Sequence, residues 1–208
     1  MTNTSKVGLN FNSWLILITL FIISACSKPY FTKLSSDGVI LAFGDSLTAG
    51  NGTSLENSYP SVLSQISGHK VINAGIPGET TKQGAVRFAQ VLEETHPQLV
   101  ILMEGGNDIL RNINPQETKR NLENMIKQAQ LQHMQIMLVG IPNKSLFSSH
   151  AEFYDDLAKQ YNLLLDDNSI TKLEKSPEYK SDEVHFNQQG YKVLAERFYD
   201  LLKKNGAF

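Results

Sequence analysis

The chain has 208 residues, is 41% hydrophobic and carries a formal charge of −2 from 19 Lys and Arg against 21 Asp and Glu. That is enough material for one well-buried core, with no repeat, low-complexity tract or second compositional block to suggest another domain. No basic stripe interleaved with aromatics occurs, which excludes the electrostatic footprint of a nucleic-acid partner; a single cysteine, Cys26, excludes an internal disulfide and a cysteine-pair zinc site.

At the N-terminus, Lys6 precedes an apolar run from Trp14 to Ile23 that ends in Ser24-Ala25-Cys26. The run is shorter than the roughly 20 residues that span a bilayer, and small residues stand where a signal peptidase cuts. Residues 1-25 therefore have the form of a signal peptide. Ile23-Ser24-Ala25-Cys26 resembles a bacterial lipobox, in which the cysteine thiol is acylated and becomes the new N-terminal residue. An ordinary signal peptide, or a short uncleaved anchor that happens to hold a cysteine, is the alternative. On the lipobox reading Cys26 is the lipidation site, residues 26-37 are a polar tether reaching at most roughly 35 Å, and residues 38-208 are the folded domain. The protein then meets a membrane through its N-terminal lipid, on the extracytoplasmic side of a bacterial cell envelope. Ser27 after the cysteine resembles the sorting pattern for the periplasmic face of the outer membrane, if the source is Gram-negative.

Along the domain, near-continuous apolar runs at Val39 to Phe43, Lys70 to Asn73, Leu99 to Met103 and Ile136 to Val139 read as strands covered on both faces, hence parallel. A fifth short strand is expected near Leu163 to Leu165. Helical patterns lie between the strands, at Tyr59 to Ile66, Thr81 to Glu94 and Pro115 to Gln132. The last has Asn114 as N-cap, Pro115 at the first helical position and Glu117 where a capping box wants it. A final helix from Gln188 to Lys204 carries Tyr191, Leu194, Phe198 and Leu201 on one stripe. Alternating strands and helices give a three-layer α/β domain. Right-handed crossovers put every strand-to-helix junction on one edge of a parallel sheet, where clefts form.

Four of the polar segments carry chemistry-bearing residues. Val39 to Phe43 leads into Gly44-Asp45-Ser46-Leu47-Thr48-Ala49-Gly50, which by itself also suits a turn with a capping serine. Val71-Ile72 leads into Asn73 to Thr80 with Pro77-Gly78-Glu79, and Leu99 to Met103 into Glu104-Gly105-Gly106-Asn107-Asp108; Asp182-Glu183-Val184-His185 stands near the end. In this order and at this spacing, from about Val39 to the C-terminus, they resemble the SGNH (GDSL) family of serine esterases, in particular its arylesterase, thioesterase and lysophospholipase-like branch. The resemblance implies a flavodoxin-like, five-stranded parallel sheet. It makes Ser46 the nucleophile, Gly78 and Asn107 the family's glycine and asparagine, His185 its histidine and Asp182 the third member of the triad. Glu104 departs from the family, which usually has an aliphatic residue there.

Serine needs an adjacent base at neutral pH, and neutral imidazole suits that task. His185 is the candidate, since His69, His96, His133 and His150 stand at element ends or in loops without an acid at a suggestive spacing, and read as solvated surface. Asp182 can hold the ring's Nδ1–H, and the N–H groups of Ser46 and Gly78 with the Asn107 amide form the implied oxyanion hole. Asp45 and Asp108 read as local loop fasteners rather than reacting groups. No cofactor and no metal is implied; Asp182, Glu183 and His185 would make an awkward ligand set within four residues. The expected activity is hydrolysis of carboxylic esters, of thioesters or lysophospholipids as variants of it, on small-molecule or lipid-derived substrates, through an acyl-enzyme on Ser46. A carbohydrate O-acetylesterase of the cell envelope and a lipoprotein that binds acyl ligands without turnover are the alternatives. The segment from Asp108 to Ile113 is the expected adaptable wall of the cleft.

Overall fold

The computed structural model of the chain describes Met1 and residues 30–143 and 150–208. The signal segment and Cys26 lie outside the described residues.

Five strands form, β1 (Val39–Gly44), β2 (Lys70–Gly75), β3 (Leu99–Met103), β4 (Gln135–Val139) and β5 (Leu164–Asp166). All pair in parallel, in the order β2-β1-β3-β4-β5, which is the flavodoxin-like order. Every residue of β3 is buried, as a central strand covered on both faces requires. The chain leaves β1 first for β2 and then returns past it to β3. With right-handed crossovers this reversal sends the connecting helices to opposite faces. Helices α3 (Thr81–Thr95), α5 (Pro115–Leu131) and α6 (Phe153–Tyr161) pack together on one side, and α2 (Tyr59–Ser67), α7 (Ser169–Glu174) and α8 (Gln188–Lys204) on the other. Two short helices, α1 (Ser46–Ala49) and α4 (Gly106–Leu110), begin directly after β1 and β3.

The helix ends follow local chemistry, with some shifts from the sequence reading. Asn114 caps α5 through the N–H of Gln116 at 2.9 Å, but the reciprocal capping box forms at α3, where Gln83 Oε1 accepts the Thr80 N–H at 3.0 Å. On α8 the fourth buried stripe position is Leu202, with Leu201 half-buried. Over 17 residues the spacing of 3.6 per turn carries the stripe past a strict i+3 step. Helices α6 and α7 were not among the elements expected from the sequence.

The tether expected over residues 26-37 is corrected in its described part. Phe31 and Leu34 are 5% and 4% exposed and belong to the core. The Phe31 N–H bonds the Asn205 carbonyl at 3.1 Å and the Leu34 N–H the Ala207 carbonyl at 2.9 Å. Gln135 clasps both the N–H and the carbonyl of Thr32, and Gln98 Oε1 takes the N–H of Ser35 at 3.0 Å. Gln98 and Gln135 stand at the starts of β3 and β4. This segment thus closes the amino edge of the sheet, and the packed domain begins at about Phe31 rather than at residue 38. Two buried apolar side chains outweigh the polar residues around them.

Candidate active site

At the carboxyl edge, β1 ends at Gly44 and Asp45 caps α1, its Oδ1 accepting the Leu47 N–H at 3.0 Å. Ser46 is thereby the first residue of α1, and its N–H, like any at a helix start, has no acceptor within the helix. Ser46 is only 9% exposed. The second junction turns at Gly78, where φ is +77°, a conformation that a side chain would strain. The turn is held by the Glu79 N–H on the Ile76 carbonyl at 3.1 Å and by the Arg111 guanidinium on the Gly78 carbonyl at 2.9 Å. Among the described residues no acceptor takes the N–H of Ser46 or of Gly78. The third junction turns at Gly105, where φ is +111° and a Cβ would meet the Tyr154 hydroxyl at 2.5 Å. It delivers Asn107 within α4.

The fourth segment is a loop tied at both ends. Lys180 and Phe186 form an antiparallel bridge, the Ser181 N–H bonds the His185 carbonyl at 2.9 Å, and Phe186 is fully buried against Tyr191. Asn187 then caps α8 through the Gly190 N–H at 2.9 Å. Between these fixtures Asp182 Oδ1 accepts the N–H groups of Val184 and His185, each at 2.8 Å, and Oδ2 meets His185 Nδ1 at 2.8 Å. The His185 N–H, then the His185 ring, then the Val184 N–H hold the Asp182 carboxyl well below the usual carboxylate range, although the group is exposed. His185 Nε2 lies 3.0 Å from Ser46 Oγ. With Nδ1 bonded to a carboxylate, the neutral ring carries its proton there and presents Nε2 as an acceptor to the serine.

All five residues singled out on this edge, Ser46, Gly78, Asn107, Asp182 and His185, therefore meet, although they come from four separate segments. Asn107 is more constrained than its motif suggests. Its Nδ2 donates to the Glu79 carbonyl at 2.9 Å and to Asp45 Oδ2 at 3.2 Å, so both amide hydrogens are engaged in the resting site. To serve an oxyanion it must release the longer bond. Asp45 is pushed up to about 6, first by burial and then by the charges of Glu79 and Asp108, against the Leu47 N–H and His185. Asp108 is not the local fastener expected: its carboxylate receives the N–H of Thr81 at 2.8 Å and the hydroxyls of Thr81 and Thr118, which ties α4 to α3 and α5. His150 is likewise corrected. Its side chain is nearly buried and its Nε2 lies 2.8 Å from Asp155 Oδ2, a pairing made possible by the first turn of α6. His96 and His133 are exposed, and His69 is half-buried on Phe208.

The serine opens into a cleft of about 420 Å³, walled by Leu47, Ile109, Leu110, Ile141, Pro142 and Val184 and bordered by the acids Asp45, Glu174 and Glu183. Ile109 and Leu110 come from the expected wall segment. Ile141 and Pro142 were missed, although they follow β4 and so stand at the same edge by topology. Among the described residues no group of three or more His, Cys, Asp or Glu side chains is arranged to hold a metal ion. Both Asp182 oxygens and both His185 ring nitrogens are taken up by the contacts above.

The sequence model of the GDSL-like lipase/acylhydrolase family matches residues 42–193 of the chain. An arylesterase of Vibrio mimicus is 31% identical over 193 residues, covering 88% of this chain and 93% of that protein. The protein thioesterase 1/protease 1/lysophospholipase L1 of Escherichia coli K12 is 28% identical over 172 residues, covering 79% of this chain and 83% of its own length. Among solved structures, the psychrotrophic esterase EstA of a Pseudoalteromonas species matches with a TM-score of 0.75 at 23% identity, covering 81% of this chain and 98% of that one, which is a likeness of fold.

Proposed function

The chain belongs to the GDSL-like lipase/acylhydrolase family, and from that premise we propose that it hydrolyses carboxylic esters through an acyl-enzyme on Ser46. The observation that carries this reading is the hydrogen-bonded line Ser46 Oγ to His185 Nε2 at 3.0 Å and His185 Nδ1 to Asp182 at 2.8 Å, at the mouth of an apolar cleft. His185 takes the serine proton as Oγ adds to the ester carbonyl, and Asp182 stabilises the imidazolium. The N–H groups of Ser46 and Gly78 and the Asn107 amide receive the oxyanion. His185 then returns the proton to the departing alcohol, and a water activated by the same ring releases the acid.

The apolar wall favours an acyl chain over a small acetyl group, and lipid-derived acyl esters, lysophospholipids and thioesters are the substrates to try first. The Vibrio mimicus relative is named an arylesterase and the Escherichia coli relative a thioesterase and lysophospholipase. We further propose that residues 1-25 are removed and that Cys26 is acylated, which anchors the enzyme in the bacterial cell envelope, extracytoplasmically. The lipobox-like Ile23-Ser24-Ala25-Cys26 supports this. Firm anchoring needs two or three acyl chains, since one binds only marginally. With Phe31 packed on the domain, only Ser27 to Tyr30 link it to the lipid, roughly 14 Å at full extension.

A fluorophosphonate probe tests the nucleophile: wild-type protein should be labelled at Ser46, and Ser46→Ala should lose both labelling and turnover. Labelling of the variant at another serine overturns the assignment. Initial rates on acetyl, butyryl, octanoyl and palmitoyl esters, beside a lysophospholipid, an acyl thioester and an acetylated glycan, identify the acyl group. Mass spectrometry of detergent-extracted protein, showing either diacyl- or triacyl-Cys26 or an unmodified chain, decides the anchor.

A further inference from the structure

Glu104, directly after β3 where the family usually has an aliphatic residue, is fully buried. Its Oε2 accepts the Gly105 N–H at 3.1 Å, while Oε1 has no donor among the described residues. A buried carboxylate oxygen without a donor is costly. Facing it is a second carboxyl group, that of Glu79, which is 5% exposed and in hydrogen-bonding contact with Glu104. A Cβ on Gly84 would stand 3.5 Å from Glu79 Oε2 and 3.6 Å from Glu104 Oε1, so both oxygens line the gap that this glycine leaves. Glu79 is already paired with Arg87, whose Nε lies 2.8 Å from Oε1 and whose Nη2 reaches Oε2. The same guanidinium donates to the Ala74 carbonyl at 2.8 Å and lies 4.0 Å over the Phe43 ring. The cation is thus committed to Glu79, and Glu104 has no cation of its own among the contacts of the described residues. Two acceptor oxygens cannot bond each other, and the contact is satisfied only when one of them carries a proton.

We propose that Glu104 is a positioning residue: its carboxyl is protonated, donates from Oε1 to Glu79, and by fixing Glu79 holds the carbonyl that orients the Asn107 amide. The last link is the 2.9 Å bond from Asn107 Nδ2 to the Glu79 carbonyl. The charged and titratable groups facing Glu104 come from every neighbouring element. Glu79 stands just before α3 and carries its pairing with Arg87; Asp45 precedes α1, and Tyr154 of α6, itself also under the charge of Asp108 in α4, gives its hydroxyl to the Glu104 carbonyl at 2.6 Å. Burial, then the negative charges of Asp45 and Glu79, raise the Glu104 carboxyl well above the usual range, in agreement with a proton held there at neutral pH. A raised carboxyl contributes stability at low pH and loses it as pH rises through its folded-state value. Loss of this proton sets the Glu104 and Glu79 carboxylates against each other and frees the Glu79 turn.

The proton is tested without reference to catalysis. Infrared spectra of the folded protein at pH 8 should show a protonated-carboxyl carbonyl band that shifts in D₂O and is missing from Glu104→Gln. A wild-type spectrum from which Glu104→Gln removes no such band overturns the proposal. The positioning role rests on the esterase reading and is tested by kinetics on an aryl ester. Glu104→Ala should lower kcat by about 10-fold, less than removal of an oxyanion donor, with KM within about two-fold. Glu104→Gln should restore most of the loss, because its amide donates as the acid does, and should flatten the alkaline decline of kcat. If Glu104→Gln falls as far as Glu104→Ala, the charge rather than the donor matters and the proposal fails. Should Glu104→Ala not fold, the infrared band and the pH profile of Glu104→Gln decide. Wild-type protein with the band but without esterase turnover would refute the proposed function and leave the shared proton standing.

Discussion

Asn107→Ala probes the least settled contact in the site, because the same amide must hold the resting loop and receive the oxyanion. At rest its two hydrogens go to the Glu79 carbonyl at 2.9 Å and to Asp45 Oδ2 at 3.2 Å. Removing one oxyanion donor costs about 2.7–4 kcal/mol in the transition state. The bond to the oxyanion replaces the longer bond to Asp45, however, which already stabilises the ground state by about 1 kcal/mol. The net loss is about 2–3 kcal/mol, or roughly 30- to 160-fold in kcat. Steady-state kinetics on a p-nitrophenyl acyl ester measures it, with fluorophosphonate labelling as the control that Ser46 and His185 still work together. Labelling should persist, and folding stability should drop by about 1–2 kcal/mol for the two lost hydrogen bonds. A change confined to KM, with kcat unaltered, refutes the oxyanion argument and makes Asn107 a substrate-binding residue. A loss as deep as that of Ser46→Ala would refute it in the other direction, by showing that the substitution dismantles the nucleophile.

Asp182→Asn should reduce kcat by at least about 100-fold, because an amide in place of the carboxylate leaves the imidazolium unsupported and allows the wrong ring tautomer. Near wild-type kcat would mean that His185 works without this acid. Because three hydrogen bonds hold the Asp182 carboxyl far below the usual range, its contacts to His185 and their stabilisation persist until pH falls through that low folded-state value. Asp45 has the opposite sign. Its carboxyl is pushed up to about 6 by burial, so it contributes stability below about pH 4 that is lost as pH rises to about 6, on the order of 3 kcal/mol. Urea unfolding of wild type and Asp45→Asn at pH 4 and pH 7 should show a steeper loss of stability with rising pH in the wild type, and equal slopes would remove the argument. Finally, a chain beginning at residue 38 should be less stable than one beginning at residue 30 by about 3–6 kcal/mol, the worth of burying Phe31 and Leu34. Equal midpoints in urea would mean that the segment adds nothing to the fold.

The sequence by itself determined what depends on short-range rules. Short apolar runs without alternation, bounded by turn residues, read as strands covered on both faces, so β1, β3 and β4 were legible, and crossover handedness then brought Ser46, Gly78 and Asn107 to one edge. The Asp182 and His185 pair is legible for a similar reason: one carboxylate that accepts the N–H groups two and three residues on and also the ring is a local arrangement. Tertiary structure alone decided what depends on residues remote in the chain. Phe31 and Leu34 look like parts of a polar tether until their partners Asn205, Ala207, Gln98 and Gln135 are brought to the amino edge of the sheet. Asn107 carries its motif in the sequence, but that both its hydrogens are already engaged follows from Asp45 and Glu79, which reach it from two other junctions. Glu104 stood out only as an odd residue before the two glycines that follow β3. That it faces Glu79, whose own cation is Arg87, is a consequence of packing α3 on the sheet, where burial turns a charge that water would have solvated into one that needs a proton or a partner.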